Sequence, residues 1–115
     1  MDKKIIYTKL VTGEDIISEV LTETMNDITL VDPLQINIVN YEDGATLRLT
    51  RWIPHIDKQE FLIGKGRMIV TSYASKDMAE YYLDCVESLN QVLEEHNEEA
   101  EDEMMLRDLG KETVH

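Results

Sequence analysis

Two short stretches of this chain carry residue types suited to holding an anion or a nucleobase. The first is Gly64-Lys65-Gly66-Arg67, directly ahead of the strand-like run Met68-Ile69-Val70-Thr71-Ser72-Tyr73. Lysine and arginine hold anions through charge-assisted hydrogen bonds, and glycine lets a backbone turn sharply and lets a ligand come close. The second is Met25-Asn26, inside the turn signal Thr24-Met25-Asn26-Asp27. An asparagine amide both donates to and accepts from a base edge, although Asn beside Asp is also ordinary turn chemistry. Lys65 and Arg67 likewise read either as a phosphate-contacting pair or as a solvated turn.

Other chemistries find less support. His55-Ile56-Asp57 offers two metal ligands and His96 sits among glutamates, but no third and fourth ligand stand at a recognisable spacing. Neither a Gly-x-Ser-x-Gly elbow nor a phosphate-binding loop nor a Cys-His pairing occurs. The expectation is a protein that is not an enzyme and needs no cofactor. Trp52 and Tyr73 are assigned to core or seam packing rather than stacking, and Tyr41 is a weak stacking candidate. Arg48 and Arg51 are assigned to cross-strand ion pairs or to the surface of an assembly rather than to nucleic-acid contact.

Charge narrows the partner. The 115 residues hold 24 Asp and Glu against 11 Lys and Arg, a net of −13. Residues 1–75 contribute 11 acids and 8 bases, whereas residues 76–115 contribute 13 acids and 3 bases. The acidity therefore belongs to the last third. Indiscriminate binding to the phosphate backbone is disfavoured, while a local basic site in the first 75 residues remains open. The single cysteine, Cys85, cannot form an internal disulfide and reads as a packed thiol on an apolar helix stripe. No run of 18 apolar residues is present, and the start Met1-Asp2-Lys3-Lys4 does not lead into a signal peptide, so the expectation is a cytoplasmic protein without a membrane partner.

The elements that must position the two stretches are short strands. Residues 3–12 alternate, Thr12-Gly13-Glu14-Asp15 turns, and residues 16–22 are rich in β-branched side chains. A longer strand runs from Ile28 to Val39, interrupted by Pro33, which implies a bend, a bulge or an edge. Asp43-Gly44 closes a hairpin, residues 45–53 alternate, and residues 60–73 form one last strand bent at Gly64–Gly66. From Ser75 as N-cap, Met78, Tyr81, Tyr82, Cys85, Val86, Leu89, Val92 and Leu93 recur at helical spacing. The predicted architecture is mainly β: a five-stranded, strongly bent barrel over 1–75, one long amphipathic C-terminal helix over 76–97, and an acidic tail over 98–115. The helix stripe must be covered by its own barrel, a neighbouring subunit or a protein partner.

With that strand order, the chain resembles a divergent Sm-like protein, the superfamily of the spliceosomal Sm proteins and bacterial Hfq. Leu10, Gly13, Ile16, Val20, Met25 and Asn26 fit the family's first motif, and Lys65-Gly66-Arg67-Met68-Ile69 fits its second. The long C-terminal helix resembles that of the Sm-like proteins attributed to marine cyanophages. The strand signal starts at residue 3, so the helix that usually precedes the first strand of the family is not expected here, and Thr24 stands where many members carry a stacking aromatic residue.

The resemblance implies a homo-oligomeric ring of about five to seven subunits, joined through edge strands around 47–53 and 67–73. It places Met25, Asn26, Lys65, Gly66 and Arg67 at the central pore, as contacts for single-stranded RNA or DNA. The implied role is that of an accessory or chaperone in RNA or DNA processing. The alternative is a homo-oligomeric interaction module without a nucleic-acid ligand, whose acidic C-terminal helices recruit proteins.

Overall fold

The structure, a computed structural model, describes residues 3–91. The chain divides into a unit Met1–Leu83 and a unit Asp84–His115. The first contains six strands: β1 (Ile5–Leu10), β2 (Asp15–Glu23), β3 (Asp27–Tyr41), β4 (Gly44–Arg51), β5 (Glu60–Gly64) and β6 (Met68–Tyr73). A helix, α1, occupies 76–91, and its first two turns to Leu83 belong to this unit. The predicted helix end at 92–97 and the acidic tail at 98–115 lie outside the described residues. The fold is mainly β with a C-terminal helix, as the sequence led us to expect, but among the described residues the bent antiparallel sheet is not closed into the expected barrel: β4 and β6 stand at its two ends and do not pair.

Turn chemistry sets the meander. Gly13, with φ of 102°, turns β1 into β2, and Gly44, with φ of 135°, opens β4 after Asp43. Both angles lie in the left-handed region that glycine enters without steric cost. The sheet runs β4-β3-β2-β1-β6, and β5 pairs with β3 off that path. The expected last strand is thus two strands. A 3-10 turn at Lys65–Arg67 breaks it, after which β5 lies on β3 and β6 lies on β1.

Pro33 marks where β3 changes partners along one edge. Residues before it pair with β5 (Asp27↔Gly64 to Val31↔Glu60), and residues after it pair with β4 (Leu34↔Arg51 to Tyr41↔Gly44). Asp32 takes a φ of 53°, and its N–H donates to the Gln59 carbonyl at 2.7 Å. Pro33 has no N–H to leave unpaired at the gap, and its carbonyl accepts from Trp52 N–H at 3.3 Å. Buried Gln59 closes the 52–59 loop by donating to the Ile53 and Ile56 carbonyls.

Apolar residues cover both faces of this sheet. Ile6, Leu10, Ile16, Ile28 and Leu30 form a core, with Val20, Trp52, Ile63 and Met68 packed against it. Ile17, the partner of both Tyr7 and Leu34, points to the opposite face. There the start of α1 lies over the strands: Met78 lines a pocket of about 310 Å³ with Tyr7, Ile17, Ile36 and Leu47. Ser75 caps the helix, its Oγ accepting the Met78 N–H at 3.2 Å. The adjacent pairs Ile5-Ile6 and Ile16-Ile17 are all buried because each supplies one side chain to each face.

Candidate nucleic-acid interface

The two stretches singled out by their chemistry meet at one end of the sheet. Thr24 shapes the first turn: its N–H donates to the Asp27 carbonyl at 2.8 Å, and its Oγ1 accepts the Asp27 N–H at 3.0 Å. That leaves Met25 at the apex, 90% exposed, with Asn26 exposed beside it. The second turn docks on the first through the Lys65 N–H, which donates to the Asn26 carbonyl at 2.8 Å. Met25, Asn26, Lys65, Gly66 and Arg67 therefore form one cluster, although some forty residues separate the two turns.

The side chains within the cluster differ in their freedom. The Lys65 ammonium is 2.6 Å from Glu23 Oε2, and Lys4 lies 2.7 Å from Glu23 Oε1. These two ion pairs, that of Lys4 first, hold the Glu23 carboxyl down to about 2. Lys4 also sits 5.5 Å from the centre of the Tyr73 ring, within cation–π range. Arg67 is exposed and makes no ion pair among the described residues. Its main-chain oxygen accepts the Val11 N–H at 2.9 Å, which fastens the 3-10 turn to the β1–β2 turn. Beside the cluster runs a groove of about 370 Å³, lined by Ile6, Ile28 and Met68 below and by Lys4, Lys65 and Tyr73 at its rim.

Glycine at position 66 is not demanded by the fold. Its φ is outside the left-handed region, and an added Cβ would meet no atom within 4 Å. Gly66→Ala is therefore expected to leave urea-unfolding stability unchanged or to raise it by up to about 1 kcal/mol, since alanine restricts the unfolded chain. A large destabilisation would mean that the turn itself needs glycine.

Glu23 and Lys4 were not visible to sequence reasoning. They lie 42 and 61 residues from Lys65, and only the strand register brings them together. Of the aromatic residues assigned to packing, Trp52 does pack: it meets Phe61 edge-on at 5.7 Å and donates from Nε1 to Glu14 at 3.1 Å. Tyr73 is 73% exposed on β6, outside the core of this chain, and Tyr41 is exposed near the hairpin turn. Among the described residues no group of three His, Cys, Asp or Glu is gathered to hold a metal, and no helix is long and apolar enough to cross a membrane.

No curated protein matches the chain. The family model of the Sm-like domain matches residues 7–83, from within β1 through β6 to the first turns of α1. Both motif turns fall inside that match. The chain belongs to the Sm-like family.

Proposed function

We propose that this protein assembles into a ring of about five to seven subunits that binds single-stranded nucleic acid, with RNA as the favoured ligand, at the joined turns. Met25, Asn26, Lys65, Gly66 and Arg67 form the contact surface, and the ring acts as an accessory or chaperone in RNA or DNA processing in the cytoplasm. The observation that carries this reading is the Lys65 N–H to Asn26 carbonyl bond, which makes one surface of two motif turns. Asn26 would read a base edge, Lys65 and Arg67 would hold phosphates, and Gly66 would let the strand pass close. The protein acts by binding, with no catalytic step.

Assembly draws on the strand edges. β4, β5 and β6 each have a single neighbour in the sheet, which leaves unpaired backbone groups along their outer edges. Leu62 on β5 is 72% exposed, and Ile69 and Val70 on β6 are 59% and 49% exposed. β4 exposes no large apolar side chain. We therefore assign the seam to β5 of one subunit and β6 of the next, in place of the 47–53 segment that the family resemblance implied.

Light scattering and fluorescence anisotropy test both halves. The protein should be larger than a dimer, and Leu62→Glu, which places a charge on an already exposed position, should yield a folded monomer. A monodisperse wild-type monomer would remove the ring. Affinity for a labelled single-stranded oligonucleotide should fall linearly on a log–log plot against salt, and Gly66→Ala should weaken it. An intact oligomer without salt-dependent binding would leave the interaction-module alternative, with the acidic C-terminal helix recruiting a protein.

A further inference from the structure

The arrangement of Glu23 between two lysines has the form of an occupied anion site. One carboxylate oxygen, Oε1, is 2.7 Å from the Lys4 ammonium, and the other, Oε2, is 2.6 Å from the Lys65 ammonium. Two ammonium groups converging on two oxygens of a single anion is also how a pair of lysines would meet the two non-bridging oxygens of a phosphodiester. The three side chains are each between 34% and 38% exposed, so water and a competing anion can reach them. Beyond the carboxylate lies the groove of about 370 Å³, a volume within the range of small-ligand sites.

We propose that Lys4 and Lys65 form one seat for a phosphodiester group, that the Glu23 carboxylate fills this seat in the free protein, and that a nucleic-acid strand displaces it. The inference rests on the binding function proposed above and adds to it a residue, Lys4, and a means of control. Displacement frees a resident carboxylate rather than a bulk counterion, so a single weak phosphate interaction gains little. A strand that also engages Arg67 and Asn26 gains enough to open the seat. Glu23 thus raises the threshold against loosely held anions, in the same sense as the acidic composition of the chain as a whole. The groove beyond the seat, with Ile6, Ile28 and Met68 as its floor and Tyr73 at its rim, takes the nucleoside attached to that phosphate.

A purely structural role for Glu23 gives a different forecast. If Glu23 only ties β1 and β2 to the 65–67 turn, its loss would loosen the turn and weaken binding. If it occupies the seat, its loss should strengthen binding, because partly exposed ion pairs hold little of the fold together. Lys4 separates the readings further. A lysine that only restrains Glu23 keeps just its contact with the Tyr73 ring once the carboxylate is gone, whereas a phosphate ligand still matters to affinity.

The test is anisotropy titration of the full chain with a short fluorescein-labelled single-stranded RNA at two salt concentrations. Wild type is compared with Glu23→Gln, Glu23→Ala, Lys4→Ala and the double variant Glu23→Gln with Lys4→Ala, each first shown to keep its circular dichroism and oligomeric state. We expect Glu23→Gln and Glu23→Ala to bind about 5–10-fold tighter than wild type at low salt, and Lys4→Ala to reverse most of that gain in the Glu23→Gln background. Glu23→Ala guards against a glutamine amide that still engages the lysines. Equal or weaker binding by both Glu23 variants, or no effect of Lys4→Ala in the Glu23→Gln background, overturns the seat. If the proposed function is sound, Lys65→Ala with Arg67→Ala still loses affinity in that case. Absence of salt-dependent binding by wild type overturns both.

Discussion

Replacing Lys65 and Arg67 together with alanine should weaken oligonucleotide binding roughly thirtyfold at low salt for each engaged subunit, and leave the oligomer intact. The magnitude follows from two exposed charge–phosphate interactions at on the order of 1 kcal/mol each. The salt dependence should become shallower by about 0.7 in log–log slope for each phosphate no longer engaged. The fold is expected to survive because the bonds that hold this turn come from the main chain. Lys65 donates its backbone N–H to Asn26, and Arg67 offers its backbone carbonyl to Val11. Alanine keeps both. The Lys65–Glu23 ion pair disappears, and Lys4 remains beside Glu23 to hold its carboxylate. That carboxyl titrates at about 2 in the folded chain against 4.5 ordinarily. Its contribution to stability is therefore present above 4.5 and is lost as pH falls toward 2. The comparison of variant and wild type belongs at neutral pH, where the oligomer is measured by light scattering and affinity by anisotropy. Unchanged affinity there would remove the joined turns as the binding surface.

Much of this fold was legible because its signals are local. Gly13, Asp43-Gly44 and the Ser75 cap each act within four residues, and each stands where the sequence places it. The joined turns were legible as two motifs, since Asn beside a turn and Lys-Gly-Arg ahead of a strand carry their chemistry in their residue types. The strand count was harder. Residues 60–73 keep a strand-like composition throughout, and nothing local states that Glu60–Gly64 pairs with β3 while Met68–Tyr73 pairs with β1. Pro33 signalled an interruption, yet the exchange of β5 for β4 along one edge is a property of the whole sheet. Glu23 is the clearest case of what stayed hidden. In sequence it is one acid among 24, and only the folded register sets it between Lys4 and Lys65. The C-terminal helix pattern was plain, but the partner of Tyr82 lay some fifty residues upstream, at Val31 and Asp32.

That tyrosine leads to the largest stability effect expected. Tyr82→Ala should cost about 3–5 kcal/mol in urea unfolding, and Tyr82→Phe about 1–3 kcal/mol with an unchanged m-value. Tyr82 is 1% exposed. Its hydroxyl accepts the Glu19 N–H at 3.1 Å and faces the Asp32 and Val31 carbonyls at 2.8 and 3.0 Å. Glu19 sits at a register shift between β2 and β3, and Asp32 sits where β3 changes partners. One hydroxyl on α1 thus serves polar groups left over by two neighbouring irregularities. Phenylalanine fills the same space but strands those groups away from water, and alanine adds a cavity. Alkaline pH isolates the hydroxyl. Burial pushes the Tyr82 phenol well above its ordinary value of 10.0, so the folded chain keeps a proton that the unfolded chain releases. Stability from this group is full below pH 10 and falls as pH rises above it. Tyr7 is also raised, by its bond to Asp15, but it contributes equally to wild type and to Tyr82→Phe. The stability gap between these two proteins should therefore narrow above pH 10. A gap that stays constant through that range would mean that the hydroxyl reaches solvent, and that Glu19 and Asp32 are satisfied without it.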